Sequence, residues 1–387
     1  MVRTGLDLLF SDHKKLLSGK RVGLVANPSA IDSSFEFILD LFLAEKSWEL
    51  GALFGPEHGI RGEMQDQELC DAFEDKSRKL PVFSLYGEHL KPTPDMLKNL
   101  DALVFDIQDV GSRYYTFIYT LSYTMEACGE NGVEVVVLDR PNPIDGVTME
   151  GPVLEKGFES FVGRFPLPTR HAMTVGELAK YFQGEMGIKC KLRVVEMKGW
   201  NRSDYFEATH LPWVLPSPNM PTVDSAVVYP GMCLLEGTNV SEGRGTTRPF
   251  EIFGAPWIDP DHLCRRLQEY NLEGCRFRPL FFRPTFNKYQ KQLCGGAQIH
   301  VTDRKKYKPV FMTLCLLAIL MQDYPDFFRW KDPPYEFVHD RLPIDILFGN
   351  SWTREMLEAK RPVLEIERKW KTSLDEFKKT REKYIIY

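Results

Sequence analysis

The chain has 387 residues, 43% of them hydrophobic, enough for two domains with a sizeable buried core. Its 49 Lys and Arg against 54 Asp and Glu leave a formal net charge of -5, which speaks against a nucleic-acid backbone as the main partner, because such proteins carry a basic face. It holds no apolar run of about 18 residues, so no transmembrane helix is expected, and Met1 to Gly5 lead into an amphipathic segment without the apolar stretch of a signal peptide.

The first ~150 residues alternate strand-like and helix-like segments, the mark of an α/β layer fold. Arg21 to Asn27 reads as a short apolar strand, Ser34 to Phe42 as a helix, and Leu50 to Phe54 as a second strand running into Gly55-Pro56-Glu57-His58-Gly59. Pro81 to Gly87 is a third strand, followed by Thr93 as a helix N-cap with Pro94 at the first helical position. Leu100 to Phe105 is a fourth strand, ending in Asp106-Ile107-Gln108-Asp109-Val110-Gly111. Tyr115 to Gly129 reads as a helix, and Val133 to Leu138 as a fifth strand closing with Asp139-Arg140-Pro141-Asn142-Pro143. Strands this apolar suit a parallel sheet covered on both faces, where ligands bind outside the carboxyl ends of the strands. The polar clusters all fall at those ends.

A second domain, 151–387, carries more loops. Thr174 to Phe182 is a helix with Thr174 and Glu177 at capping-box spacing, and Leu192 to Met197 a strand. Residues 212 to 257 are loop-rich, with prolines at 212, 216, 218, 221, 230, 249 and 256. Phe311 to Gln322 is an apolar helix, and Glu355 to Tyr384 one or two charged surface helices. The eight cysteines include no C-x-x-C and no His at metal-ligand spacing, so they read as free, mostly buried thiols, and no metal site is expected.

Five clusters carry candidate chemistry. Glu57 follows a buried strand between Pro56 and a glycine turn; a semi-buried glutamate there suits a general acid, and otherwise accepts a local backbone bond. His58 and Arg61 crowd the same turn. Asp106, clustered with Asp109, stands at a strand end, where an aspartate acts as base, metal ligand or sugar-hydroxyl acceptor, or else caps a helix or brackets the loop. Arg113 with Tyr114 suits an anionic, ring-bearing ligand, or else Arg113 pairs with an aspartate to hold the loop. Asp139 and Arg140 read as braces of their proline turn. Prolines 216, 218 and 221 fix a loop presenting Ser217 and Asn219, the latter suited to a sugar or an amide. The run Glu236 to Glu251 holds Asn239, Glu242, Arg244 and Arg248 in a glycine-rich loop able to grip an anion through guanidinium forks. It lacks the P-loop and G-x-G-x-x-G spacings, so a nucleotide is not indicated. Neither G-x-S-x-G nor H-E-x-x-H occurs.

Together these segments resemble one family, the NamZ-like exo-β-N-acetylmuramidases, long known only as a domain of unknown function. The matching stretches are Gly55 to Gly62, Lys91 to Pro94, Val104 to Gly111, Leu138 to Pro143, Pro216 to Thr222 and Glu236 to Glu251. The resemblance runs from Gly5 to about Asp259 and loosens beyond; Ala172 stands where the family suggests Gly. It implies a Rossmann-like N-terminal domain, a smaller α/β C-terminal domain, and a cleft between them. It also implies release of N-acetylmuramic acid from the non-reducing ends of peptidoglycan fragments, without a cofactor, by members that are often exported.

The resemblance makes Glu57 the catalytic acid. A β-glycosidase needs a second group, for which Asp106, Asp109, Glu236, Glu242 or the substrate's own 2-acetamido group are candidates. Arg61, Arg113, Arg244 or Arg248 is expected to bind the lactyl carboxylate of muramic acid, with His58, Tyr114, Asn219 and Asn239 as further substrate contacts. Two other readings stand beside this one: an exo-hexosaminidase for a sugar without the lactyl group, and a non-catalytic protein that captures cell-wall fragments.

Overall fold

The computed structural model describes residues 1–62 and 80–387, and the backbone of 73–75. Cys70 lies outside the described residues; the other seven cysteines are free thiols, six of them buried. Six parallel strands form the main sheet: β1 (Arg21–Ala26), β2 (Glu49–Gly55), β4 (Leu80–Ser84), β5 (Ala102–Asp106), β6 (Glu134–Leu138) and β9 (Lys191–Val195). They lie in the order β4-β2-β1-β5-β6-β9, with β3 (Phe73–Asp75) antiparallel on the β4 edge. The sheet therefore runs past the division expected near residue 150, because β9 pairs with β6.

The period-two alternation of these strands feeds two cores, one on each face. Val104 of β5 and Val136 of β6 pack with α1 (Gly5–Ser11) and α2 (Ile38–Ala44). Their neighbours Leu103, Phe105, Val135 and Val137 point the other way, toward α3 (Phe117–Asn131) and α4 (Val175–Gly184). That second core is continuous with the C-terminal half. The capping box is present on α4: the Thr174 hydroxyl accepts from Glu177 N, and the Glu177 carboxylate accepts from Thr174 N. Thr93, by contrast, closes only a single turn, accepting from Met96 N at 3.4 Å, with no helix after it.

A short ribbon of β7 (Glu150–Val153) and β8 (Pro168–Arg170) leads into the rest of the chain. There α5 (Val223–Met232) packs against the apolar α7 (Pro309–Asp323). A three-stranded antiparallel sheet, β10-β12-β11, is built from Ile252–Ala255, Cys294–Val301 and Cys275–Phe282, and α6 (Pro260–Glu269) lies on it. Three further helices complete the fold: α8 (Pro343–Phe348), α9 (Trp352–Glu358) and α10 (Val363–Arg381). Among the described residues no helix is long and apolar enough to cross a membrane.

Candidate active site

Strand β2 ends at Gly55, and the chain turns at once into the Glu57 loop. A Cβ at position 55 would lie 2.7 Å from the backbone nitrogen of Ile60, so glycine is what lets the loop fold back this closely. The turn closes with Gly59 N donating to Pro56 O at 2.9 Å, and His58 takes φ +71°, a conformation side chains other than glycine seldom adopt. Glu57 is left 6% exposed. Its Oε2 accepts a hydrogen bond from Thr116 Oγ1 at 2.6 Å. Thr116 occupies the N-cap position of α3, yet its side chain makes no capping bond to that helix. Its hydroxyl is committed to Glu57, which sets a carboxylate beside the positive end of a 15-residue helix.

Glu57 and Thr116 face a narrow, partly open cavity. His58 and Tyr114 also line it. The opposite wall comes from the C-terminal half: Asn219 of the proline-rich loop, Glu236 and Arg244 of the glycine-rich run, and Tyr335 with Glu336. Glu236 accepts from Arg244 Nη2 at 2.8 Å and from the Tyr335 hydroxyl at 2.7 Å. Burial acts to raise its pKa, but the charge and hydrogen bond of Arg244, the Tyr335 bond and the charge of Lys288 outweigh it, holding Glu236 below the usual carboxylate range. Behind Arg244 lies Glu242, 2% exposed, with Oε1 3.5 Å from Arg244 Nε and Oε2 2.8 Å from Lys288 Nζ. Arg244 thus bridges two carboxylates, with Phe250 5.2 Å from its guanidinium carbon.

Several sequence candidates have other partners. Asp106 is fully buried in a two-bond pair with Arg140, at 2.5 and 2.9 Å; burial raises its pKa even against that charge. It brackets the loop and does not line the cavity. Asp109 accepts from Gly111 N at 2.7 Å and lies 3.3 Å from His171 Nε2. Arg113 neither lines the cavity nor pairs with an aspartate. It is fully buried and donates to three carbonyls, of Pro152, Leu167 and Leu347, at 2.6 to 2.8 Å. Its fork ties the β7-β8 ribbon to α8, and burial lowers its pKa. Tyr114 borders the cavity, but its hydroxyl donates to Pro230 O. Glu242 stands in the layer behind. Asn239 clasps Phe327 O and Arg329 N, Arg248 pairs with Glu251 at the surface, and the exposed Arg61 is outside the lining. Asp139 and Arg140 are braces, as their prolines suggest: Asp139 accepts from Gly176 N and the Thr174 hydroxyl, Arg140 from its place beside Asp106 reaches Ile31 O.

Thr116, Tyr335 and Glu336 are among the cavity residues that sequence reasoning passed over. Thr116 directly follows the Asp106–Tyr115 cluster, and Tyr335 follows Pro333-Pro334, the same proline signal that singled out the Asn219 loop.

The architecture recurs in known proteins. Family models for exo-β-N-acetylmuramidase NamZ match residues 22–224 for its N-terminal part and 227–387 for its C-terminal part, so the likeness continues well beyond Asp259. The peptidoglycan β-N-acetylmuramidase NamZ of Bacillus subtilis (strain 168) is 48% identical over 386 residues, covering 100% of this chain and 91% of that protein. Two crystal structures of DUF1343 family proteins from Bacteroides fragilis NCTC 9343 superpose over 100% of this chain and 99% of theirs. One is 36% identical with a TM-score of 0.90, the other 29% identical with a TM-score of 0.75. Matched along both halves, with the Glu57 loop of the first facing Glu236 and Arg244 of the second, the chain belongs to the NamZ exo-β-N-acetylmuramidase family.

Proposed function

We propose that this protein hydrolyses the β-glycosidic bond of a terminal N-acetylmuramic acid at the non-reducing end of peptidoglycan fragments, with Glu57 as proton donor to the leaving oxygen. The observation that carries the reading is a buried carboxylate, Glu57, hydrogen-bonded by Thr116 and facing a cavity whose other wall holds Glu236 and Arg244. The Bacillus subtilis relative is a peptidoglycan β-N-acetylmuramidase. Glycoside hydrolysis builds positive charge on the sugar ring as the leaving oxygen takes its proton. Glu236, kept ionised by Arg244 and Tyr335, supplies negative charge toward that ring, while the 2-acetamido group of the substrate serves as the internal nucleophile. Among the candidate arginines, Arg244 is the one that lines the cavity, and it anchors the lactyl carboxylate. Asp106, Asp109 and Glu242 shape the walls from behind. The division into functional halves falls near residue 225, where α5 begins the C-terminal packing.

The test compares the disaccharide of N-acetylmuramic acid β-linked to N-acetylglucosamine, whose leaving sugar oxygen must be protonated, with the corresponding N-acetylglucosaminide of the same leaving sugar. The wild type is expected to prefer the muramide, Glu57→Gln to lose about 10²- to 10⁴-fold in kcat, and Arg244→Gln to erode the preference for the muramide. A Glu57→Gln enzyme with near-normal kcat removes Glu57 from the role. A wild type that prefers the glucosaminide, or binds both sugars without turnover, replaces the muramidase reading altogether.

A further inference from the structure

An exo-acting glycosidase encloses one sugar and leaves the next outside, so a leaving sugar needs a surface at the cavity mouth. Three aromatic rings, Tyr86, Phe161 and Phe337, meet in a cluster whose members at 161 and 337 adjoin residues of the cavity lining in the chain. Their centroids are 5.5 Å apart for Tyr86 and Phe161, and 5.9 Å for Phe337 with each of the others. Tyr86 follows β4 of the main sheet, whereas Phe337 comes from the C-terminal half, so the cluster closes across the two. Its position is fixed by chain continuity. Phe337 directly follows Tyr335 and Glu336, which line the cavity, and Phe161 directly precedes Val162, which also lines it.

Exposure divides the cluster sharply. Tyr86 is 4% and Phe161 6% exposed, but Phe337 is 54% exposed. Glu336 and Phe337 both lie in the left-handed region, at φ +43° and +67°, which residues with a Cβ seldom adopt. A tight pairing of Tyr335 with Val338 holds this turn. The turn buries the Tyr335 ring against the cavity and sets the next large ring outward, backed by two buried ones. A rigid, half-exposed aromatic ring with apolar support is a surface for a flat apolar face. A β-linked pyranose with equatorial substituents offers such a face in its axial C–H bonds.

We propose that Phe337, supported by Tyr86 and Phe161, is the stacking platform for the sugar on the leaving side of the scissile bond, a β-linked N-acetylhexosamine. This rests on the glycosidase reading given above and adds a subsite to it. The platform holds the leaving sugar while Glu57 protonates the oxygen it departs with, and thereby favours an oligosaccharide over a small alcohol as leaving group.

The experiment compares two substrates of the full-length protein: the disaccharide of N-acetylmuramic acid β-linked to N-acetylglucosamine, and methyl β-N-acetylmuramide, which has no leaving sugar. Phe337→Ala is expected to lose roughly three- to tenfold more in kcat/KM on the disaccharide than on the methyl glycoside. Phe337→Trp, which keeps a flat ring, is expected to retain the wild-type ratio of the two. Equal losses on both substrates, or none on either, overturn the platform while leaving the glycosidase reading intact. A wild type that cleaves neither substrate overturns both, and the wild-type control tells the two failures apart.

Discussion

Replacing Thr116 by valine removes one hydroxyl from the site and leaves its shape almost unchanged. That hydroxyl lies 2.6 Å from Glu57 Oε2, with Thr116 7% and Glu57 6% exposed, so water cannot easily take its place. A hydrogen bond to a charged, desolvated group contributes about 1.5 to 3 kcal/mol. If Glu57 is the proton donor, it is neutral before the transfer and anionic after it. The Thr116 bond strengthens as that charge develops, and its contribution therefore belongs to the transition state rather than to substrate binding. Converted at about 1.4 kcal/mol per factor of ten, the expected loss in kcat is roughly 10- to 100-fold with KM little changed. Thr116→Ser keeps the donor and loses only the methyl group that restrains its rotamer, so it should stay within about fivefold of wild type. Steady-state kinetics on N-acetylmuramic acid β-linked to N-acetylglucosamine, whose leaving oxygen must be protonated, with thermal melting as a check on folding, measure both variants. The reasoning fails if valine stays within twofold of wild type, or if serine is as impaired as valine.

Three further outcomes follow from the groups assigned to structure. Asp106→Asn leaves the Arg140 guanidinium buried without its carboxylate and should cost about 3 to 5 kcal/mol in denaturant unfolding, while kcat at a permissive temperature changes little; a selective collapse of kcat would return Asp106 to the chemistry. Arg113→Met leaves the carbonyls of Pro152, Leu167 and Leu347 without their donor and should destabilise the fold by about 3 kcal/mol or more, seen as a lower melting temperature with little change in KM. Glu150, buried and accepting from Phe311 N at the start of α7, has its pKa pushed by burial from 4.5 up to about 7. The folded state then holds its proton where the unfolded state has released it, so this group's contribution is intact below pH 4.5 and is lost as pH rises toward 7. Glu150→Gln should therefore gain on wild type by about 3 kcal/mol between pH 4.5 and pH 8, read from urea unfolding at each pH, and a constant difference across that range would refute the burial argument.

The strands were legible because β1, β2, β5 and β6 are continuous apolar runs ending in polar turns, a pattern local enough to read directly. The Thr174 capping box was legible for the same reason, since both of its bonds span three residues. Arg113 was not. A guanidinium that grips carbonyls at positions 152, 167 and 347 has the same neighbours in sequence as one that grips a ligand. Nor did the sequence show that Asp106 belongs to Arg140, 34 residues on, or that Tyr335 would reach back 99 residues to Glu236. Loop motifs reveal that ionisable groups are concentrated at strand ends; which of them face the cavity and which face one another is decided by tertiary pairing.

That pairing also explains where the cavity sits. In a doubly wound sheet the ligand crevice opens where the strand order reverses, here between β1 and β5. At this point the chain supplies its own occupants. Asp106 and Arg140 neutralise each other, Gln108 N donates to Ser29 Oγ at 3.0 Å, and Asn27 Nδ2 donates to the carbonyl of Pro216 at 2.9 Å. The last bond reaches into the proline-rich loop that carries Ser217 and Asn219 to the cavity. The polar groups that a nucleotide would otherwise engage are thus used to fix a loop of the C-terminal half against the sheet. The open space is shifted to the ends of β2 and β5, where Glu57 and Thr116 meet across their two loops. Disrupting the crevice should consequently disturb substrate binding from a distance. Asn27→Ala, which removes the bond to Pro216, should raise KM through Asn219 while leaving kcat nearly unchanged. A fall in kcat with KM unaltered would mean that the loop and the crevice are not coupled in this way.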